Sequence, residues 1–216
     1  VSPHIDHVEN IVGTETMPNE TRIAFIMNRQ FGDWAMANYS NGYAHLANPV
    51  KGEVIVATQT QKDADRRLHA ACNAMLGKRK STAQVIRTGQ SAYNNGAGVC
   101  TTSAFAVAAR LLADPNVNDR IEIMGQAGGI NAGHMWVVVG RVGGTTLVGN
   151  GFQARRRPAN AHANWGPYIV CDAWLQALGW KGFWKTPPNG QHHAFITPNH
   201  NELEIVYDST VAGGDP

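Results

Sequence analysis

No apolar run in this chain of 216 residues approaches the roughly 20 residues that cross a bilayer. The opening Val1-Ser2-Pro3-His4 also lacks the basic and apolar pattern of a signal peptide. Charge is scarce. Asp, Glu, Lys and Arg make up 16% of the residues, against the roughly 25% usual in soluble proteins, and the net charge is only +2. The short basic clusters Lys78-Arg79-Lys80 and Arg155-Arg156-Arg157 are too little for a dedicated nucleic-acid surface and read as solvated loops. Cysteine is scarce as well: Cys72, Cys100 and Cys171 form an odd set without CxxC spacing, which argues against a disulfide framework or a zinc ribbon and points to a reducing compartment. His192 and His193 are adjacent and on an extended segment point opposite ways, so neither a metal nor a cofactor is expected. The chain begins without Met, which reads as a domain excised from a longer protein.

What the chain does have is enough apolar material for a real core. Hydrophobic residues make up 43%, and 23 Gly with 10 Pro imply many turns, so the expectation is an irregular α+β protein. Residues 1–60 read as a leader or cap of the same domain, with a short strand or helix at 22–27 and a strand-like alternation at 52–57; residues 61–216 read as the core. A helix is predicted over 61–76, with Ala64, Leu68, Ala71, Cys72 and Met75 on one face and Gly77 as its C-cap. A weaker helical pattern covers 81–90, and an Asn/Gly loop spans Asn94 to Gly98. The next helix carries Cys100, Ala104, Val107, Ala108, Leu111 and Leu112 on one apolar face and ends at Asp114-Pro115-Asn116. Strand patterns follow at 120–124, 134–141, 145–148, 168–172 and 202–207, with a long Gly- and Arg-containing connection at 149–166.

The stretch Asn94-Asn95-Gly96-Ala97-Gly98-Val99-Cys100 puts one cysteine where a glycine loop meets a helix. At a helix N-terminus the macrodipole and the unpaired N–H groups favour a thiolate, and the same N–H groups stabilise an oxyanion. Gly133-His134-Met135-Trp136 opens a strand with histidine, and Tyr168-Ile169-Val170-Cys171-Asp172 closes one on aspartate. Nucleophile, base and orienter, each at an element end, form the Cys100, His134, Asp172 order of a triad. The bland alternatives are a buried helix cysteine, a strand-entry histidine bonded to a carbonyl, and an aspartate capping a helix over 173–178, the last compatible with orienting His134 as well. The side-chain amides of Asn94 and Asn95 are candidate oxyanion donors. Trp136 and Trp165 are candidate walls of a substrate cleft.

At Gly98-Val99-Cys100, Gly133-His134-Met135-Trp136 and Val170-Cys171-Asp172-Ala173-Trp174 the chain resembles the papain-like cysteine hydrolase superfamily, most closely its compact bacterial effector and toxin domains. The resemblance covers about residues 84–180 and implies a central helix carrying the nucleophile against an antiparallel sheet carrying His and Asp. One departure is the spacing: 38 residues separate His134 from Asp172 where the family has a short hairpin. The resemblance implies thioester-forming acyl transfer on a protein substrate, as a protease or glutamine deamidase, secreted into a target cell and acting in a reducing cytosol. An immunity protein or chaperone is an implied partner. Two rival functions are a cell-wall peptide amidase and a non-catalytic binding module whose cysteine is structural.

Overall fold

The computed structural model describes residues 19–37, 54–76, 80–126, 134–142, 155–156, 166–180, 182–185 and 202–211. These residues form an α+β fold. The elements in order are α1 (Glu20–Phe25), a π-helical turn (Ile26–Gln30), β1 (Ala35–Met36), α2 (Gln59–Ala74), α3 (Thr82–Asn95), β2 (Ala97–Gly98) and α4 (Cys100–Leu112). They continue with β3 (Ile121–Gln126), β4 (His134–Val139), β5 (Arg155–Arg156), β6 (Ile169–Cys171), α5 (Ala173–Ala177), β7 (Phe183–Lys185) and β8 (Glu202–Asp208). Strands β1 and β2 pair in parallel, and the other six form an antiparallel sheet in the order β5-β8-β3-β4-β6-β7.

Local chemistry explains where the helices start. Thr58 with Gln61 and Ser81 with Gln84 are reciprocal capping boxes that satisfy the first free N–H groups of α2 and α3. Ser81 and Gln84 thus open a helix that runs to Asn95 and stops at Gly96, whose φ of +65° is open to glycine at little cost. The expected Asn/Gly loop is therefore shorter than the composition suggests. Asn94 and Asn95 are the last residues of α3, and Ala97–Gly98 is already a strand.

Helix α4 lies at the centre. Every residue from Thr101 to Ala109, and Leu111, is buried, so the one-sided stripe expected from the sequence understates it. Its Phe105, Val107, Ala108 and Leu111 share a core with Ile121, Ile123, Val137, Val139, Ile169 and Cys171 on one face of the sheet. Ile23, Ile26, Met27 and Phe31 enter the same core, so residues 19–37 pack with the helix that bears the cysteine. The opposite sheet face is buried too: Met124, Trp136, Val138, Val170 and Ile205 cluster there. Burial on both faces accounts for the unbroken apolar run of β4, which sits between β3 and β6.

Other expectations are adjusted in detail. The strand pattern at 52–57 survives among the described residues as a single bridge between Met36 and Val56. Helix α2 begins two residues earlier than its periodicity suggests and ends at Ala74, while Gly77 lies outside the described residues. The strand expected at 145–148 and all of 149–165 except β5 lie outside them as well. Among the described residues no helix is long and apolar enough to cross a membrane.

Candidate active site

Helix α4 begins at Cys100 with no side chain of its own N-cap residue, Val99, satisfying the first-turn N–H groups. Close packing fixes the approach to it. A Cβ on Gly98 would lie 2.3 Å from Thr102 Oγ1, closer than Cβ atoms come, and a tight 3.0 Å from the Trp34 ring, so glycine is favoured by contact and not by φ. Ser103 donates to the Cys100 carbonyl, which tightens this first turn.

Of the three cysteines, Cys72 and Cys171 are fully buried and Cys100 is half-buried. Burial, with Asp65 nearby, pushes the Cys72 thiol up to about 12, and burial with Asp172 pushes Cys171 up as well. Cys72 is thus a core residue, as its helical position implies.

His134 opens β4 and is 7% exposed. Its Nε2 lies 2.5 Å from Asp172 Oδ2, and the same ring is hydrogen-bonded by the Cys100 side chain. Burial alone would lower the imidazole pKa. The Asp172 carboxylate and Cys100 outweigh that and hold it up at about 10, so the ring carries its proton at neutral pH. Two indoles flank it: Trp136 is near-parallel with ring centroids 5.7 Å apart, and Trp174 is tilted at 5.1 Å.

Asp172 follows β6, which pairs with β4 through Val137↔Cys171, so the sheet register itself carries the carboxylate to the end of β4 where His134 stands. The two roles open for it in the sequence coexist. Oδ2 meets His134, and Oδ1 accepts from Leu175 N at 3.0 Å to cap α5. Its own N–H donates to the Gly182 carbonyl.

The asparagines are placed differently from the expectation. Asn95 donates both amide hydrogens, one to the Gln61 carbonyl on α2 and one to the Ala97 carbonyl in its own turn, each at 3.0 Å, so it has none for an oxyanion. Asn94 is exposed on α3, and its Oδ1 accepts from Gln90. Both are turn and helix-end residues because α3 continues through them. Trp136 is 1% exposed and supports His134 from inside the sheet, which removes it from a substrate wall; Trp165 lies outside the described residues.

A residue the sequence reading passed over is Asp65 of α2. It is 3% exposed and accepts from Thr102 Oγ1 at 2.6 Å. A signal for it existed: Asp65, Leu68 and Cys72 fall at i, i+3 and i+7, which puts the acid in line with the apolar stripe.

No family model, curated protein or solved structure matches the chain. Among the described residues no group of three or more His, Cys, Asp or Glu is placed to hold a metal ion.

Proposed function

We propose that the protein is a thiol-dependent acyl hydrolase of papain-like type, with Cys100 as nucleophile, His134 as proton carrier and Asp172 as orienter. The observation that carries this reading is one buried imidazole held at Nε2 by a buried carboxylate and also bonded by the side chain of Cys100, the residue that opens a central helix. A structural cysteine needs neither partner.

The chemistry follows from which nitrogen is occupied. With Nε2 held by Asp172, Nδ1 is the nitrogen on which the charged ring holds the proton that Cys100 gives up. The Cys100 thiolate then attacks an amide carbonyl to give a tetrahedral intermediate. In this reading the first-turn N–H groups of α4, Cys100 N–H among them, which no N-cap side chain takes, hold the oxyanion. The imidazolium returns its proton to the departing amine, leaving a thioester, and water attacks that thioester with His134 as base. Asp172 stays ionised throughout and fixes the ring orientation.

A protein substrate in a target cell, and action as a protease or a glutamine deamidase from a secreted effector, rest on the resemblance at 98–100, 133–136 and 170–174 alone. Intact-mass analysis of candidate target proteins, incubated with the wild type and with Cys100→Ala, tests all of this. Conversion of an amide to an acid, or a cut, that the variant does not produce supports the proposal. Identical products from both proteins overturn it.

A further inference from the structure

We infer that Asp65 is a positioning residue for Cys100, holding from α2 the two residues that bracket the thiol. The inference rests on the reading of Cys100 as the nucleophile.

Two bonds from the first turn of α4 meet at this carboxylate. Its Oδ1 takes the Thr102 hydroxyl at 2.6 Å, and the Val99 N–H bonds it as well. Val99 and Thr102 lie one residue before and two residues after Cys100, so one buried acid ties down both sides of the first turn. Val99 is the N-cap residue of α4 and offers no side-chain cap, and Asp65 takes the N-cap residue's own N–H from another helix, the part that an N3 Glu or Gln plays within a capping box. Gly98 packs so closely on the same Thr102 side chain that a Cβ there would lie 2.3 Å from its Oγ1.

The placement has a cost that a purely packing role does not explain. Burial pushes the Asp65 carboxyl up, while the Thr102 hydroxyl, His69 one turn along α2 and the Val99 N–H favour its charged form. Cys72, also on α2, is raised by the same carboxylate. Across the turn, His134, itself held by Asp172, is bonded by the Cys100 side chain. A buried acid retained here fixes the geometry in which the Cys100 thiol meets His134, and small misplacements at a reacting atom are costly in rate.

The test is alkylation of Cys100 by iodoacetamide at pH 6 in the full chain, located by mass, with near-UV circular dichroism to confirm folding. Thr102→Val, which removes the hydroxyl and keeps the shape, should slow alkylation by about fivefold or more, and Thr102→Ser should restore it to within about twofold of the wild type. Asp65→Asn keeps an oxygen for Thr102 but opposes an amide to the Val99 N–H. It carries the same expectation of slowing and stands in if the valine variant does not fold. Folded Thr102→Val and Asp65→Asn proteins that react at the wild-type rate, or a serine variant no better than valine, would overturn the inference. His134→Ala separates the two levels. If it slows alkylation and the Thr102 and Asp65 variants do not, Asp65 is structural and the nucleophile reading stands; if it has no effect, that reading itself fails.

Discussion

Asp172 and His134 form a bond in which the acceptor is already anchored: one oxygen of Asp172 meets His134 Nε2 at 2.5 Å while the other accepts from Leu175 N at 3.0 Å. The cap prevents the carboxylate from rotating, so the imidazole is oriented against a fixed point. Helix α5, only five residues long, is in effect the mount for the orienter.

Asp172→Asn is therefore a clean probe. Asparagine still offers an oxygen to Leu175 N, but its amide then donates to Nε2, which places the imidazole proton on Nδ1, facing the thiol. Proton acceptance from Cys100 is blocked. The rate should fall by about 10²- to 10⁴-fold with α5 intact, as measured by turnover and circular dichroism. Near-normal turnover would reduce Asp172 to its capping role.

The pair also sets a pH dependence of stability. The His134 pKa is raised from 6.5 to about 10, so the folded state binds the proton more tightly than the unfolded chain. The stabilisation is fully present below about 6.5 and is lost as pH rises through about 10. Urea unfolding of the wild type and His134→Gln across this range should show the wild-type advantage shrinking with rising pH. An advantage that grows with pH would contradict the assigned charge state.

Asn95→Ala separates a turn residue from an oxyanion donor. Losing the bonds to the Gln61 and Ala97 carbonyls should destabilise the protein by about 1–3 kcal/mol and leave kcat unchanged in the folded enzyme. A large loss in kcat with normal stability would return Asn95 to the catalytic machinery.

Glycine to alanine in the middle of a helix ordinarily stabilises by up to about 1 kcal/mol. At Gly89 the sign should reverse. A Cβ there would lie 2.0 Å from the Phe105 carbonyl oxygen and 2.6 Å from Ala109 Cβ, so α3 and α4 must separate. Gly89→Ala should lower the melting temperature, and an unchanged or higher one would show that the helix pair is not packed this closely.

The sequence made α2, α4 and β4 legible because burial writes a period into them. The sequence also put Cys100, His134 and Asp172 at element ends, and each stands at one. What it hid follows from features that periodicity cannot register. The weak helical pattern at 81–90 gave no sign that α3 runs on through Ser91 to Asn95, residues that look like loop composition and are held by a capping box ten residues earlier. Asp65 looks like one more charge on a polar helix until α4 is packed against it. Glu122 likewise alternates as an outward strand residue, yet it is fully buried and held by Arg141 at 2.7 Å and Arg120 at 3.0 Å. Such pairs join residues far apart in the chain or across strands, and only the fold brings them together.

The central claim is that Cys100 is activated by His134, and the most direct measurement of it is the rate of Cys100 alkylation by iodoacetamide at pH 6 in the wild type and in His134→Ala. Cys72 and Cys171 are fully buried, so the signal belongs to Cys100. The wild type should react at least about tenfold faster than a free thiol at that pH, and the variant should fall to the free-thiol rate. A wild-type Cys100 that reacts no faster than a free thiol, or a His134→Ala protein as reactive as the wild type, would contradict the account.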